Sequence, residues 1–218
     1  MKIFVINICD ERWKRYSDDK RYTRWKGCIG SELSASFVDD TYITMHNAKR
    51  SHKHNVAGCS ESHLSLLKHI TENHINNCII VEDDVSLDIS RLDELKDIEE
   101  FCYIGGHFQP PVLKKKLDTQ NISFKDGVNT IDTTRFTIAG GYGLYIPKYQ
   151  IAEWIYTNII NRNKRRGYDC ELRRLQKILK LKRFIYPAIV ELYLPVAITG
   201  FSCQTSNFKL KSSMKYYV

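Results

Sequence analysis

The residues best placed for chemistry are carboxylates that close an apolar run. Cys78-Ile-Ile-Val-Glu82-Asp83-Asp84-Val85 carries four apolar residues straight into three acids. The run is short and β-branched, and the turn-forming pair Asn76-Asn77 precedes it, so it predicts a buried central strand of a parallel sheet. Three acids at the end of such a strand repel one another unless a cation lies among them. Ligands of open α/β sheets bind beyond the carboxyl ends of the strands. The pattern therefore points to a divalent-metal site that grips a phosphorylated ligand. An acidic surface loop is the competing reading, because Asp88, Asp93, Glu94, Asp97, Glu99 and Glu100 follow.

Gly58-Cys59-Ser60-Glu61-Ser62-His63 forms a second group. It is expected to open a helix whose Leu64, Leu67 and Ile70 share one face. Gly58 would let the backbone turn closely, and a helix N-terminus is a natural anion site. His63 shares that apolar face, which is also the setting of a core histidine. Cys59 and His63 could face one metal from successive turns, but there is no second Cys/His pair, so a zinc site is not expected here. His107 follows Gly105-Gly106, where small residues let backbone approach a ligand.

These residues need elements to hold them. Lys2–Ile8 reads as a first strand closed by Asn7, and Asp10 as the cap of a helix reaching about Trp25. Ser36–Val38 reads as a short strand ending at Asp39-Asp40, and 46–55 as a basic mobile loop. Further strands are expected at 101–104, 128–131, 136–146 and 184–187. Gly140, Gly141 and Gly143 suit a bulge or a close ligand approach in the third of these. Helices are expected from Pro147 through Ile159 and from Asp169 to about Leu181, with an irregular insertion from Pro110 to Asp126. The alternation of strand and helix predicts a right-handed, doubly wound α/β sheet. No GxxxxGK[ST] or GxGxxG follows a strand, so a phosphate loop of either type is not expected.

The chain has 218 residues, 43% hydrophobic and 27% charged, which suits an ordinary globular protein. No apolar run approaches the roughly 20 residues of a membrane span. The opening residues are too soon polar for a signal peptide. Seven scattered cysteines suggest reduced thiols and a cytoplasmic setting. The net charge is +8, with acids crowded between Glu82 and Glu100 and bases between Arg162 and Arg183 and at Lys209, Lys211 and Lys215. That asymmetry suggests an anionic partner. Phosphorylated glycolipid or an anionic membrane surface is preferred here over nucleic acid, and a solvated helix face is the plain alternative.

Three blocks together resemble glycosyltransferase family 25, the lipooligosaccharide and collagen galactosyltransferases. Phe4-Val-Ile-Asn7-Ile8 with Arg12-Trp13 is similar to the family's opening strand and helix. Gly58-Cys59-Ser60-x-Ser62-His63 is similar to its Gly-Cys-x-x-Ser-His block, and Ile79-Ile-Val-Glu82-Asp83-Asp84-Val85 to its acidic strand end. Tyr103-Ile-Gly105, Gly143-Leu-Tyr145-Ile-Pro-Lys, Asp169 and Tyr186-Pro187 add weaker matches. The order agrees across roughly residues 1 to 190. The interval from Asn7 to Arg12 is shorter than in the family pattern, and Pro110–Asp126 matches none of it.

The resemblance implies a single GT-A type, Rossmann-like nucleotide-sugar-binding domain with a mixed sheet over residues 1–200, followed by a basic tail over 201–218. It implies an inverting, metal-dependent transfer of a hexose, galactose or glucose, from a UDP-sugar to a glycan or glycolipid hydroxyl. Mg²⁺ or Mn²⁺ would be held by Asp84 with Glu82 or Asp83. Asn7, Arg12, Gly58, Cys59, Ser62, His63 and Asp83 would lie on the donor side. An inverting enzyme also needs a base for the acceptor hydroxyl. Asp169 is the leading candidate, although an Asp there is equally a helix cap; His107 and then Glu171 follow. Another metal-dependent nucleotide enzyme, such as a nucleotidyltransferase, is the alternative, and it would draw further acids from Asp39 and Asp40. An inactive member that binds glycan or nucleic acid is the third reading.

Overall fold

A computed structural model describes residues 1–43, 50–110, 124–178, 183–186 and 188–192. The tail at 201–218, most of the 110–126 insertion and the first part of the 46–55 loop lie outside these residues. The chain is α/β, built on a seven-stranded mixed sheet. Strand β1 (Lys2–Asn7) leads through a single-turn helix α1 (Asp10–Trp13) into β2 (Tyr22–Lys26), which pairs parallel to β1. The helix expected to reach Trp25 therefore stops at Trp13. Asp19 ends the segment by accepting the backbone N–H of Arg21 and both its Nε and Nη2, and Gly27 extends the new strand by donating to Asn7 O. Tertiary pairing outweighs the helical spacing of Trp13 and Tyr16 here.

The segment 36–38, expected as a strand, lies in helix α2 (Ala35–Thr41), where Ser34 Oγ caps Phe37 N. Helix α3 (Arg50–Glu72) comes next and takes up residues 50–55 of the expected loop. It feeds β3 (Cys78–Glu82), which pairs parallel with β1 on one side. A short β4 (Val85–Leu87) and a 3₁₀ segment (Ile89–Leu95) lead to β5 (Cys102–Gln109). After β6 (Gly127–Thr130), β7 (Thr137–Ile146) inserts antiparallel between β3 and β5. Helices α4 (Tyr149–Ile160) and α5 (Tyr168–Ile178) then precede β8 (Arg183–Tyr186), parallel to β5, and β9 (Val190–Leu192), which pairs with β4.

The strand order is β2-β1-β3-β7-β5-β8-β6. Strands β1, β2, β3, β5 and β8 share one direction, and β6 and β7 oppose it. The sheet is mixed, as the resemblance implied; only β3, read from its own residues as a central strand of a parallel sheet, is corrected, since it has one parallel and one antiparallel neighbour. Alternation along each strand divides the core. Phe4, Ile6, Cys78 and Ile80 face the helical layer with Leu67, Ile70, Ile155 and Leu172. Ile3, Val5, Ile79 and Val81 face Tyr16, Leu95 and the β4–β9 ribbon. Covering on this second face comes mainly from ribbon and 3₁₀ segment rather than long helices. The glycines of β7 serve the expected bulge: its register with β5 shifts on either side of Gly105, and a Cβ on Gly143 would come within 2.8 Å of Gly105 N. No described helix is long and apolar enough to cross a membrane.

Candidate active site at the C-terminal edge of the sheet

The C-terminal ends of β1 and β3 meet the middle of β7 at Gly141–Gly143. Alternation decides where each acid of β3 points. Glu82 continues the face of Cys78 and Ile80, toward the long helices. Asp83 continues the other face, toward α1. The contacts follow that division. Glu82 Oε1 lies 3.0 Å from His63 Nε2 on α3. Asp83 pairs with Arg12 Nη1 at 2.9 Å, accepts Asn7 Nδ2 at 2.7 Å and accepts Ile8 N at 3.3 Å. Asp84 is buried, and its Oδ1 has no hydrogen-bond partner among the described residues. Asp169, at the start of α5, is held from the sheet by Gly141 N–H, which donates to its Oδ1 at 2.9 Å. An Asp capping its own helix would instead accept from N–H groups of α5.

The electrostatics follow from burying several carboxylates against a single guanidinium. Burial pushes Glu82 up to about 8, and the nearby Asp169 and Asp83 add to the rise. Burial and then Glu82 and Asp83 push Asp84 up to about 7. Asp83 is also raised by burial, with Arg12 and Asn7 offsetting part of it. Asp169 is exposed, and the protein packed around its base shifts it upward only against the opposing Gly141 N–H. His63 is driven down to about 4 by burial, so it is neutral at physiological pH. Its ring stacks on Tyr168 at 4.1 Å between centroids. Two buried acids, Asp83 and Asp84, beside the partly exposed Glu82, with one oxygen of Asp84 unpartnered among the described residues, fit a hard divalent cation by their donor chemistry.

The glycine-led block on α3 is reassigned. Gly58–His63 lies two turns inside α3, not at its N-terminus, so the expected helix-start anion site is absent there. Each residue of the block instead meets a different neighbour. Gly58 lets the chain at Gly30 cross the helix: a Cβ would lie 2.6 Å from Gly30 N. Ser60 Oγ accepts Tyr168 N at 2.9 Å, satisfying an N–H at the start of α5 that has no partner in its own helix. Ser62 Oγ accepts Cys28 N at 2.7 Å. Cys59 and His63 share a face, and with Glu82 they bring three ligand atoms within 4.8 Å of one another.

The remaining candidates separate. Asn7 is fully buried and serves Asp83, as does Arg12. His107 bonds Gln109 Nε2, and burial with nearby Arg173 drives it down to about 4, which makes it a weak proton acceptor. Glu171 is a structural anchor: its buried carboxylate pairs with Arg174 at 2.8 Å and Arg162 at 3.4 Å, and accepts Arg166 N. Asp39 and Asp40 lie on α2 rather than on a neighbouring strand, and Asp39 pairs with Lys53. A second acid pair for a two-metal site is therefore not brought to this edge from α2. Much of the expected basic surface is engaged within the molecule, Arg165 with Glu61 and Arg183 with Glu100.

Tyr168 and the Gly141 N–H escaped the sequence reading. Nothing in their spacing marks them, because each is recruited by strand β7 and helix α5 packing together. No family model matches the sequence, and no curated protein matches it.

Proposed function

We propose that the chain is an inverting, metal-dependent glycosyltransferase of the GT-A type. It moves a hexose, galactose or glucose, from a UDP-sugar to a hydroxyl of a glycan or glycoconjugate. The observation that carries this reading is the buried Asp84 carboxylate beside Glu82 and Asp83 at the C-terminal end of a central strand. Asp84 and Glu82 would hold Mg²⁺ or Mn²⁺. The cation's contribution when bound is to offset the charge that develops on the departing nucleoside diphosphate.

The chain's own groups do the rest. Arg12, Asn7 and Ile8 N fix the Asp83 carboxylate, and that anchors the loop from which Asp84 projects. Asp169 takes the proton of the attacking hydroxyl. It is exposed, where an acceptor hydroxyl can reach it, and it carries no arginine partner that would weaken its basicity. Docking of the acceptor on an anionic surface belongs to the same proposal. With Arg162, Arg165, Arg174 and Arg183 paired with acids, that docking would rest on the remaining bases of the Arg162–Arg183 region and the 209–217 tail.

The test is direct. The pure protein is incubated with Mn²⁺ and single UDP-, GDP- and CMP-sugars, and released nucleotide is measured. UDP release from UDP-galactose or UDP-glucose is expected, lost in Asp84→Asn with the fold intact by circular dichroism. Release from no sugar nucleotide, or undiminished Mn²⁺-dependent turnover in Asp84→Asn, overturns the reading.

A further inference from the structure

We propose that Cys59, His63 and Glu82 form a three-ligand site for a thiophilic divalent cation of the zinc class, with its fourth position open. The sequence places Cys59 and His63 one helical turn apart on α3, and β3 delivers Glu82 against them. Their ligand atoms all lie within 4.8 Å of one another. Zinc bonds of about 2.3 Å to sulfur and about 2.0 Å to nitrogen put tetrahedral ligand atoms about 3.3–3.8 Å apart. Closing the remaining gap of up to about 1.5 Å is within reach of side-chain rotation of Cys59 and Glu82, since both are partly exposed.

His63 is the fixed ligand. It is 1% exposed, its ring is stacked on Tyr168, and its Nδ1 is buried with no hydrogen-bond partner among the described residues. A buried ring nitrogen without a partner is costly, and coordination or a shift of the ring's bonding satisfies it. The donor set of thiolate, imidazole and carboxylate is what zinc, cobalt and related ions prefer, whereas Mg²⁺ avoids sulfur. Three protein ligands and a partly exposed fourth side are the arrangement of a zinc that still binds water or a small anion. Binding releases the Cys59 thiol proton to solvent. Glu82 is shared with the proposed Mg²⁺ or Mn²⁺ site, but this inference stands whether or not the chain transfers sugar.

Cobalt is the probe, added stoichiometrically to chelator-treated full-length protein. The expected result is a near-ultraviolet thiolate-to-cobalt charge-transfer band with visible bands of tetrahedral intensity, both displaced by Zn²⁺. Cys59→Ser should abolish the charge-transfer band although the six other cysteines of the chain's 7 remain. It should weaken Zn²⁺ affinity by more than about 10-fold, the least that even an outer-shell change costs at such sites. Should Cys59→Ser fail to fold, the wild-type protein still decides: Zn²⁺ must protect Cys59 from alkylation, read by peptide mass spectrometry. A charge-transfer band that survives in folded Cys59→Ser, no band at all, or Cys59 alkylated equally with and without Zn²⁺ overturns the site.

Discussion

At the scale of single residues, the site divides carboxylates by what faces them. Asp83 has a guanidinium, a carboxamide and a backbone N–H, so it is a fixed structural anion. Glu82 faces a neutral imidazole, and Asp84 Oδ1 faces no donor among the described residues. Asp169 differs again, because among the described residues its side chain is hydrogen-bonded to the Gly141 N–H alone. That bond makes Asp169→Asn an informative substitution. The Asn Oδ1 still accepts from Gly141, so α5 stays fixed to β7, while the group can no longer take a proton. With Asp169 as the base, kcat falls about 10²-fold or more while KM for the donor stays near its original value. Steady-state kinetics with saturating Mn²⁺ make the comparison. Near-normal kcat would reduce Asp169 to the bracket that ties α5 to the sheet.

At the scale of elements, what was legible in the sequence tracks how local its cause is. The acid-tipped strand was legible because Cys78–Val81 is uniformly apolar and its three acids are contiguous. Strand β7 and the starts of β8 and α5 were legible for similar reasons, each within one residue, while the expected ends at Leu181 and Pro187 lie outside the described residues. Strand β2 was not, because Tyr22–Lys26 is an exposed edge whose strand character comes from pairing with β1. The start of α3 was missed because Gly58 looks like a boundary residue, yet the glycine answers a tertiary demand. Gly58→Ala tests this against helix propensity. Alanine inside a helix gains about 1 kcal/mol over glycine. The new Cβ, however, would meet Gly30 N at 2.6 Å and Gly30 Cα at 2.7 Å, backbone atoms that cannot rotate away. Overpacking of this kind costs about 1–3 kcal/mol, so a net loss of up to about 2 kcal/mol is expected in urea unfolding. A more stable Gly58→Ala protein would mean that the Gly30 chain does not cross α3 there.

At the scale of the whole molecule, acids and bases are segregated by region. The arginines of the α4–α5 region stay near the surface as tethers, while Glu82, Asp83, Asp84 and Asp169 gather at the sheet edge. That distribution dictates how stability responds to pH. A carboxyl raised to about 8 or about 7 keeps a proton in the folded state that the unfolded chain has lost above about 4. The folded state then binds more protons, so stability falls as pH rises through that interval. His63, lowered from 6.5 to about 4, acts oppositely but only below 6.5. The clean window is therefore pH 6.5 to about 8, where the carboxyls act without it. The net charge of +8 pulls the other way, since surface repulsion relaxes as pH rises. At about 0.15 M salt that repulsion is screened beyond about 8 Å, and the buried cluster is not, so the cluster decides the sign. In chelator, Tm should fall between pH 6.5 and 8, by about 2–4 °C for each kcal/mol lost in a chain of this size. Mn²⁺ binds the ionised acids, so it should raise Tm more at the upper end of the window than at the lower. Glu82→Gln should flatten the slope in chelator. A Tm that is level or climbs across the window without metal would mean that these carboxyls are not buried together in the folded protein.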